Sequence, residues 1–338
     1  MTTDELLIRV EGRAGRITLN RPHALNALNY AMVMEIERAL HAWAGDPAVA
    51  LVIIDGAGER AFCAGGDIEE LYHSGRRHDF QFGLKFWRDE YRLNALIDEY
   101  PKPYIALMHG FVMGGGVGVS AHGSHRIVTE TAQIAMPECS IGLIPDVGGT
   151  HLLGAAPGHL GEYIGLTGYR MGPADAIHAG FADVYVPEER RAALTAMLEE
   201  TGDISQIADF SAEPPQGLLA EKETAINRAF SGETAEAIEV QLISSRDAWA
   251  EKALSSMKRA SPLSLLATLR MIRAARARNN LRESLEHELR FTARAAEKGD
   301  LLEGIRAAII DKDRRPEWRY PNLEDVPSGL VDQMLAPL

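Results

Sequence analysis

The sequence predicts an α/β fold, with strand-strand-helix turns in its first half and a mostly helical second half. Short apolar runs of strand length recur up to about residue 186, set off by glycine-rich or polar turns. Helical apolar spacing appears between them. Beyond that point the strand signals stop and five helically patterned segments follow. The expected organisation is a core over residues 1–187 and a mostly helical C-terminal region over residues 188–338.

Residues 6–10 and 16–19 read as a hairpin around Gly12 and Gly15. After the loop Asn20-Arg21-Pro22-His23-Ala24-Leu25-Asn26, Asn29 is placed to cap a helix whose apolar face is Met32, Ile36, Leu40 and Trp43. Residues 49–54 form a buried strand that ends at Asp55-Gly56-Ala57-Gly58. A small-residue loop, 61–67, leads into a helix, and a second helix over 80–99 is stopped by Pro101 and Pro103. A strand over 104–108, a glycine-rich turn over 110–118 and short strands over 126–129 and 134–136 follow. The helical segments after these are 190–200, 220–229, 235–257, 262–277 and 281–298, with linkers near Glu188 and over 211–217.

A chain of 338 residues fits one large domain with a smaller one appended. Its net charge of -13 argues against a nucleic-acid binder. Cys63 and Cys139 are too few for a disulfide framework and fit a reducing, cytoplasmic setting. The start, MTTDELLIRVEG, has no secretory pattern, and its early acids disfavour a mitochondrial transit peptide. No run is long enough to span a bilayer, so no membrane partner is expected.

Chemistry enters with two glycine loops. Gly65-Gly66 and Gly114-Gly115-Gly116 each follow a strand and precede a helix. Amides at a helix start are free to donate, and glycine lets a ligand approach them. Two such loops side by side make an oxyanion hole for a thioester carbonyl; singly, each is equally well a tight turn. Gly116, Gly118 and Ala121, with Glu138 downstream, also fit a dinucleotide fingerprint, although that acid follows Pro137 and no second nucleotide half is visible.

Three carboxylates stand out. Glu138 leaves a short apolar strand, and Asp146 precedes a helix start, where capping is the ordinary role. Glu90 shares a helix face with Phe82, Phe86, Leu93 and Ile97, so it must be paired, with Arg88 or Arg92 for instance, or protonated, or functional. His109, His122 and both cysteines read as structural. The Arg270 to Arg278 run reads as a solvated helix face that can also meet phosphates. Gly118-Val119-Ser120-Ala121-His122 lacks the last glycine of a nucleophile elbow, and no cluster has metal-ligand spacing.

Together these segments resemble the crotonase (enoyl-CoA hydratase/isomerase) superfamily. The matching stretches are Ile17-Thr18-Leu19-Asn20-Arg21-Pro22 with Ala24-Leu25-Asn26-Ala27-Leu28; Ala61-Phe62-Cys63-Ala64-Gly65-Gly66-Asp67-Ile68; His109-Gly110 with Met113-Gly114-Gly115-Gly116; and Met136-Pro137-Glu138 with Ile141-Gly142-Leu143 and Gly148-Gly149-Thr150. The resemblance implies a spiral of strand-strand-helix turns that binds an acyl-CoA. It implies Gly66 and Gly115 as oxyanion donors. It also implies that Leu25 and the segment Ala64, Gly65, Gly66, Asp67 and Ile68 hold the coenzyme A moiety through main-chain contacts. Coenzyme A is then part of the substrate, and no metal or other cofactor is expected.

Departures from the hydratase pattern select a subgroup. Hydratases carry Gly-Gly-Gly-Cys-Glu and use two glutamates around one water. This chain reads Gly114-Gly115-Gly116-Val117-Gly118 and keeps only Glu138 of the pair. Asp146 stands where hydratases have glycine. Met136-Pro137-Glu138, Pro145-Asp146-Val147-Gly148-Gly149, Phe86-Trp87-Arg88-Asp89-Glu90-Tyr91, Lys102-Pro103-Tyr104 and the tail from Glu303 to Trp318 are similar to enzymes that hydrolyse 3-hydroxyisobutyryl-CoA in valine catabolism. The likeness implies Glu90, Gly115, Glu138 and Asp146 as substrate-site residues. Glu138 is then a base or a nucleophile, and Asp146 a partner of the β-hydroxyl or of water. The alternatives are a hydratase or isomerase with one carboxylate, and a non-catalytic acyl-CoA binder. Oligomeric state stays open, a homo-oligomer being common in the superfamily.

Overall fold

The computed structural model describes residues 4–338. The reading of the N-terminus is in part outside them, since it includes residues 1–3. Contacts group the chain into two compact units, each discontinuous in sequence. The first is Met1–Gly66, Arg92–Ile134 and Met171–Ala220; the second is Asp67–Tyr91, Ala135–Arg170 and Glu221–Leu338.

The first unit holds two sheets. The strands are β1 (Leu6–Glu11), β2 (Ala14–Leu19), β3 (Leu51–Gly56), β4 (Ala61–Cys63), β5 (Tyr104–Met108), β6 (Phe111–Met113), β7 (His125–Val128), β8 (Gln133–Ala135) and β9 (Val184–Tyr185), and from β3 on they alternate between the sheets. One sheet has the order β1-β2-β3-β5-β7-β9 and the other β4-β6-β8. The hairpin β1–β2 is antiparallel, and β2, β3, β5, β7 and β9 then pair in parallel. The pairs β3–β4, β5–β6 and β7–β8 each give one member to each sheet, which is the strand-strand-helix turn expected from sequence.

Parallel strands covered on both faces read as continuous apolar runs. Leu51, Val52, Ile53 and Ile54 are all inaccessible to solvent, each contributing about 1.5–3 kcal/mol by burial. Leu51, Ile53, Ile105, Leu107 and Ile127 pack against Val186, Leu194 and Leu198. Helix α1 (Tyr30–Ala44) begins where Asn29 was expected to cap it: the Asn29 side chain accepts from the Met32 amide at 2.9 Å, worth about 1 kcal/mol.

Helices α2 (Glu69–Arg76) and α3 (Phe80–Asp98) follow β4, and the division between the units falls inside α3. Then come α4 (Gly115–Gly118), α5 (Gly149–Ala155), α6 (Leu160–Thr167), α7 (Pro173–His178), α8 (Glu188–Thr201), α9 (Ile207–Phe210) and α10 (Leu219–Phe230). The rest is α11 (Ala235–Ser245), α12 (Ala248–Arg259), α13 (Pro262–Arg278), α14 (Leu281–Lys298), α15 (Leu301–Ile305) and α16 (Leu330–Met334). No strand follows Tyr185 among the described residues.

Two expectations are corrected. The single helix over 235–257 is two, α11 and α12, because Arg246 takes a left-handed conformation (φ 54°) that ends the first. The arginine run on α13 is not simply solvated. Arg276 pairs with the buried Glu162 at 2.8 and 2.7 Å, and Arg273 and Arg270 have partners in Glu162 and Asp332. No described helix is long and apolar enough to cross a membrane.

Candidate active site

The glycine loops lie in the first unit, and strand register brings them together. β4 pairs with β6 in parallel, with Cys63 opposite Val112. Gly66 and Gly115 each lie three residues beyond that pair, past the ends of β4 and β6, at equal offset from a paired position. The contact is close. A Cβ on Gly116 would lie 2.3 Å from the Cys63 carbonyl oxygen, so only glycine fits there. Leu28 bonds through its amide to the Gly65 carbonyl at 2.9 Å, and Ala64 donates to the Leu25 carbonyl at 3.0 Å. These bonds tie the Leu25 loop to the Ala64–Gly65–Gly66 segment. Gly115 opens α4, so its N–H has no partner within that helix. Asp67 and Ile68 lead into α2, with Ile68 at its N-cap position.

A dinucleotide site does not match this geometry. Helix α4 has four residues, Gly116 is packed against β4, and Glu138 begins a short 3-10 turn over Glu138–Ile141.

The acids gather in the second unit. Glu90, Glu138 and Asp146 are 2, 5 and 5 % exposed. Glu90 has no arginine partner among the described residues: the guanidinium of Arg92 is bound instead by Glu37, at 2.5 and 2.7 Å. Glu90 Oε1 and Glu138 Oε2 have no hydrogen-bond partner among the described residues. Asp146 is not a cap. Gly148 occupies the N-cap of α5, and Asp146 Oδ2 accepts from the Tyr91 hydroxyl at 2.7 Å.

Sequence reasoning missed a fourth acid, Glu288 of α14, which is fully buried. It accepts from the Gly148 amide at 2.7 Å, the Thr150 amide at 3.0 Å and the Thr150 hydroxyl. It also missed roles for Tyr91 and Thr292, whose oxygens lie 3.4 Å apart. The signal for Glu288 was present: Leu281, Leu285, Glu288, Phe291 and Ala295 form one buried stripe with an acid in its middle, as around Glu90.

Burial without cations sets the electrostatics. Desolvation raises Glu90 and Glu138 well above the usual carboxylate range, and the Asp146 charge pushes both the same way. Burial lifts Asp146 to about 6, against the Tyr91 hydrogen bond that lowers it. It lifts Glu288 to about 8, against the bonds from Thr150 and Gly148. Glu162 is the contrast. Burial raises it too, yet the Arg276 and His159 hydrogen bonds hold it below its ordinary value. Glu162 has cations beside it, and the four clustered acids have none among the described residues.

Between Asp146 and Gly148 the backbone turns sharply. Val147 has φ 53° and Gly148 φ 80°. A β-branched residue in the left-handed region is an outlier, costing on the order of 1–3 kcal/mol. Tyr91 holds the Asp146 carboxylate on one side of this turn, and Glu288 holds the backbone amides on the other.

Chemically, such a cluster takes protons from, or accepts hydrogen bonds of, hydroxyls and water. The orphaned oxygens of Glu90 and Glu138 await donors.

The enoyl-CoA hydratase/isomerase family profile matches residues 14–335. The mitochondrial 3-hydroxyisobutyryl-CoA hydrolase of Xenopus laevis is 40% identical, over 98% of this chain and 89% of its own. A crystal structure described as an enoyl-CoA hydratase from Rhodobacter sphaeroides 2.4.1 is 53% identical, with a TM-score of 0.94 over 99% of this chain and 98% of that one. One described as a carnitinyl-CoA dehydratase from Mycobacterium thermoresistibile is 42% identical, with a TM-score of 0.96 over 99% and 97%.

Proposed function

The chain belongs to the enoyl-CoA hydratase/isomerase family, and we propose that it hydrolyses a short β-hydroxyacyl-CoA thioester, turning 3-hydroxyisobutyryl-CoA and water into 3-hydroxyisobutyrate and coenzyme A, a step of valine catabolism. One observation carries this reading: Glu90, Glu138 and Asp146 form a buried, cation-free cluster, while the second acid of a hydratase is replaced by Gly118. The Xenopus laevis relative, matched over 89% of its length, is itself named for hydrolysis of 3-hydroxyisobutyryl-CoA. The two structures above carry hydratase and dehydratase descriptions. Adding water across a double bond with two glutamates would need the acid that Gly118 lacks.

We propose that the Gly66 and Gly115 amides hold the thioester oxygen, a reading supported by the match to the family's motifs. Each donor is worth about 10²–10³-fold in rate. Leu25, Ala64, Gly65, Asp67 and Ile68 are assigned to coenzyme A. Glu138 reacts in one of two ways. As a base it takes a proton from water, the hydroxide adds to the carbonyl carbon, and collapse of the tetrahedral intermediate expels the thiolate. As a nucleophile it adds directly, expels the thiolate and leaves a mixed anhydride that water opens. Single turnover in oxygen-18 water tests the anhydride route, since label enters Glu138 only when water opens an anhydride at the Glu138 carbonyl. Asp146 and Glu90 receive the β-hydroxyl or the water. Neither route calls on a metal or a redox group, so we propose that activity survives chelators.

Cys63 and Cys139 are buried and form no disulfide. They support a reducing compartment, and we propose the cytoplasm, although the Xenopus laevis relative is mitochondrial by name; cell fractionation tests this. A homo-oligomer is tested by light scattering.

Product analysis tests the reaction. The hydrolase reading predicts free 3-hydroxyisobutyrate and coenzyme A, with crotonyl-CoA left intact. Hydrated crotonyl-CoA and an uncut thioester would favour the hydratase reading instead.

A further inference from the structure

We propose that Glu288 is a positioning residue: it holds the Val147–Thr150 turn and through it keeps Asp146 in place against Tyr91. The proposal rests on the hydrolase reading for what Asp146 does, and on geometry for how it is held.

Asp146 reaches the cluster from an irregular segment, since helix α5 begins only at Gly149. The residue after it, Val147, has a backbone conformation that valine rarely adopts. Such a turn persists only where its surroundings over-determine it. Glu288 supplies that constraint. One of its oxygens accepts from the Gly148 amide at 2.7 Å, and the other accepts from the Thr150 amide at 3.0 Å and from the Thr150 hydroxyl. The two amides flank Gly149, whose own N–H goes to the Asp146 carbonyl at 2.7 Å. Three successive N–H groups are thereby spoken for, two of them by one side chain.

The chemistry of that side chain is specific. A carboxyl group can accept at both oxygens, whereas a glutamine would point an NH₂ donor at one of the two N–H donors. A fully buried acid beside two other acids is electrostatically costly, and an apolar residue on α14 would fill the same space. What an apolar residue cannot do is hold both amides. Tyr91 completes the arrangement from α3 by donating to Asp146 Oδ2.

The test is a double-mutant cycle. Glu288→Gln, Asp146→Asn and the double variant are assayed for coenzyme A release from 3-hydroxyisobutyryl-CoA, with thermal unfolding and amide hydrogen exchange of Gly148 and Thr150 alongside. Glu288→Gln is expected to lower kcat about 10- to 100-fold, the scale of a small misplacement of a reacting group, with KM changed less than about threefold. In the Asp146→Asn background the same substitution is expected to change kcat by less than about threefold, because Glu288 acts through Asp146. Exchange at Gly148 and Thr150 is expected to quicken. An equal loss of kcat in both backgrounds overturns the proposal, as does wild-type kcat in Glu288→Gln. So does a lowered Tm with kcat per folded molecule unchanged, which marks a structural role alone. Absence of coenzyme A release by the wild type sinks the hydrolase reading and not this one. Exchange then decides: faster exchange at the two amides supports Glu288 as the anchor, and unchanged exchange overturns it.

Discussion

The hydroxyl of Tyr91 donates to Asp146 Oδ2 at 2.7 Å inside a cluster of buried acids with no cation partner among the described residues. It is the donor that opposes the burial of Asp146, whose carboxyl sits at about 6 and is therefore largely ionised at neutral pH. Its neighbour Glu90, one residue back on the same helix, has no such partner for Oε1 among the described residues and holds its proton much more tightly.

Tyr91→Phe removes that donor. A hydrogen bond to a charged group contributes about 1.5–3 kcal/mol, and its loss moves the Asp146 pKa upward from about 6. The acidic limb of kcat/KM is expected to shift to higher pH by about one to two units, with a loss of about 2- to 15-fold near pH 7 that is partly recovered above pH 8. A limb at its wild-type position would contradict this.

Glu90→Gln trades activity for stability in a pH-dependent way. The folded protein binds the Glu90 proton more tightly than the unfolded chain does. The resulting contribution is fully present below the ordinary value of 4.5 and is lost as pH rises toward the raised folded value. The wild type should therefore lose Tm between pH 5 and pH 8, and the variant should lose less. Thermal unfolding at the two pH values checks it, and parallel losses would refute it.

An acyl group without the β-hydroxyl leaves buried acid oxygens unpaired. Isobutyryl-CoA is expected to be hydrolysed with kcat/KM lower than 3-hydroxyisobutyryl-CoA by on the order of 10⁴-fold. In Asp146→Asn the ratio should narrow. Equal rates for the two thioesters would remove the role given to the acids.

Gly116→Ala places a methyl group 2.3 Å from the Cys63 carbonyl oxygen, forcing the two glycine loops apart. Loss of one oxyanion donor predicts a fall in kcat of about 10²–10³-fold, with circular dichroism reporting whether the sheets persist. Wild-type kcat in a folded variant would show that loop spacing does not matter.

Much of this was legible in sequence because it is written locally. The strand runs, the Asn29 cap and the start of α5 near Gly148 depend on neighbours a few residues away. Glu90 stood out because an acid interrupts an apolar helix face. Glu288 interrupts one too, but Glu283, Glu286, His287 and Arg290 surround it and make the helix read as solvated. Its partners are Gly148 and Thr150, 140 and 138 residues away, a separation that no window of sequence spans. The break between α11 and α12 escaped notice because Ser244-Ser245-Arg246-Asp247 contains neither glycine nor proline. A division at residue 187 follows where strands stop. The contacts instead gather residues 67–91 and 135–170 with the later helices, and local composition carries no trace of that.

The central claim is that Glu138 cuts a β-hydroxyacyl thioester. The most direct measurement is release of free thiol from 3-hydroxyisobutyryl-CoA by the wild type and by Glu138→Gln, with crotonyl-CoA as the parallel substrate. The account predicts rapid release by the wild type, a loss of at least about 10³-fold in the variant, and unchanged enoyl absorbance of crotonyl-CoA. Thiol that stays bound while crotonyl-CoA loses its enoyl absorbance would contradict it.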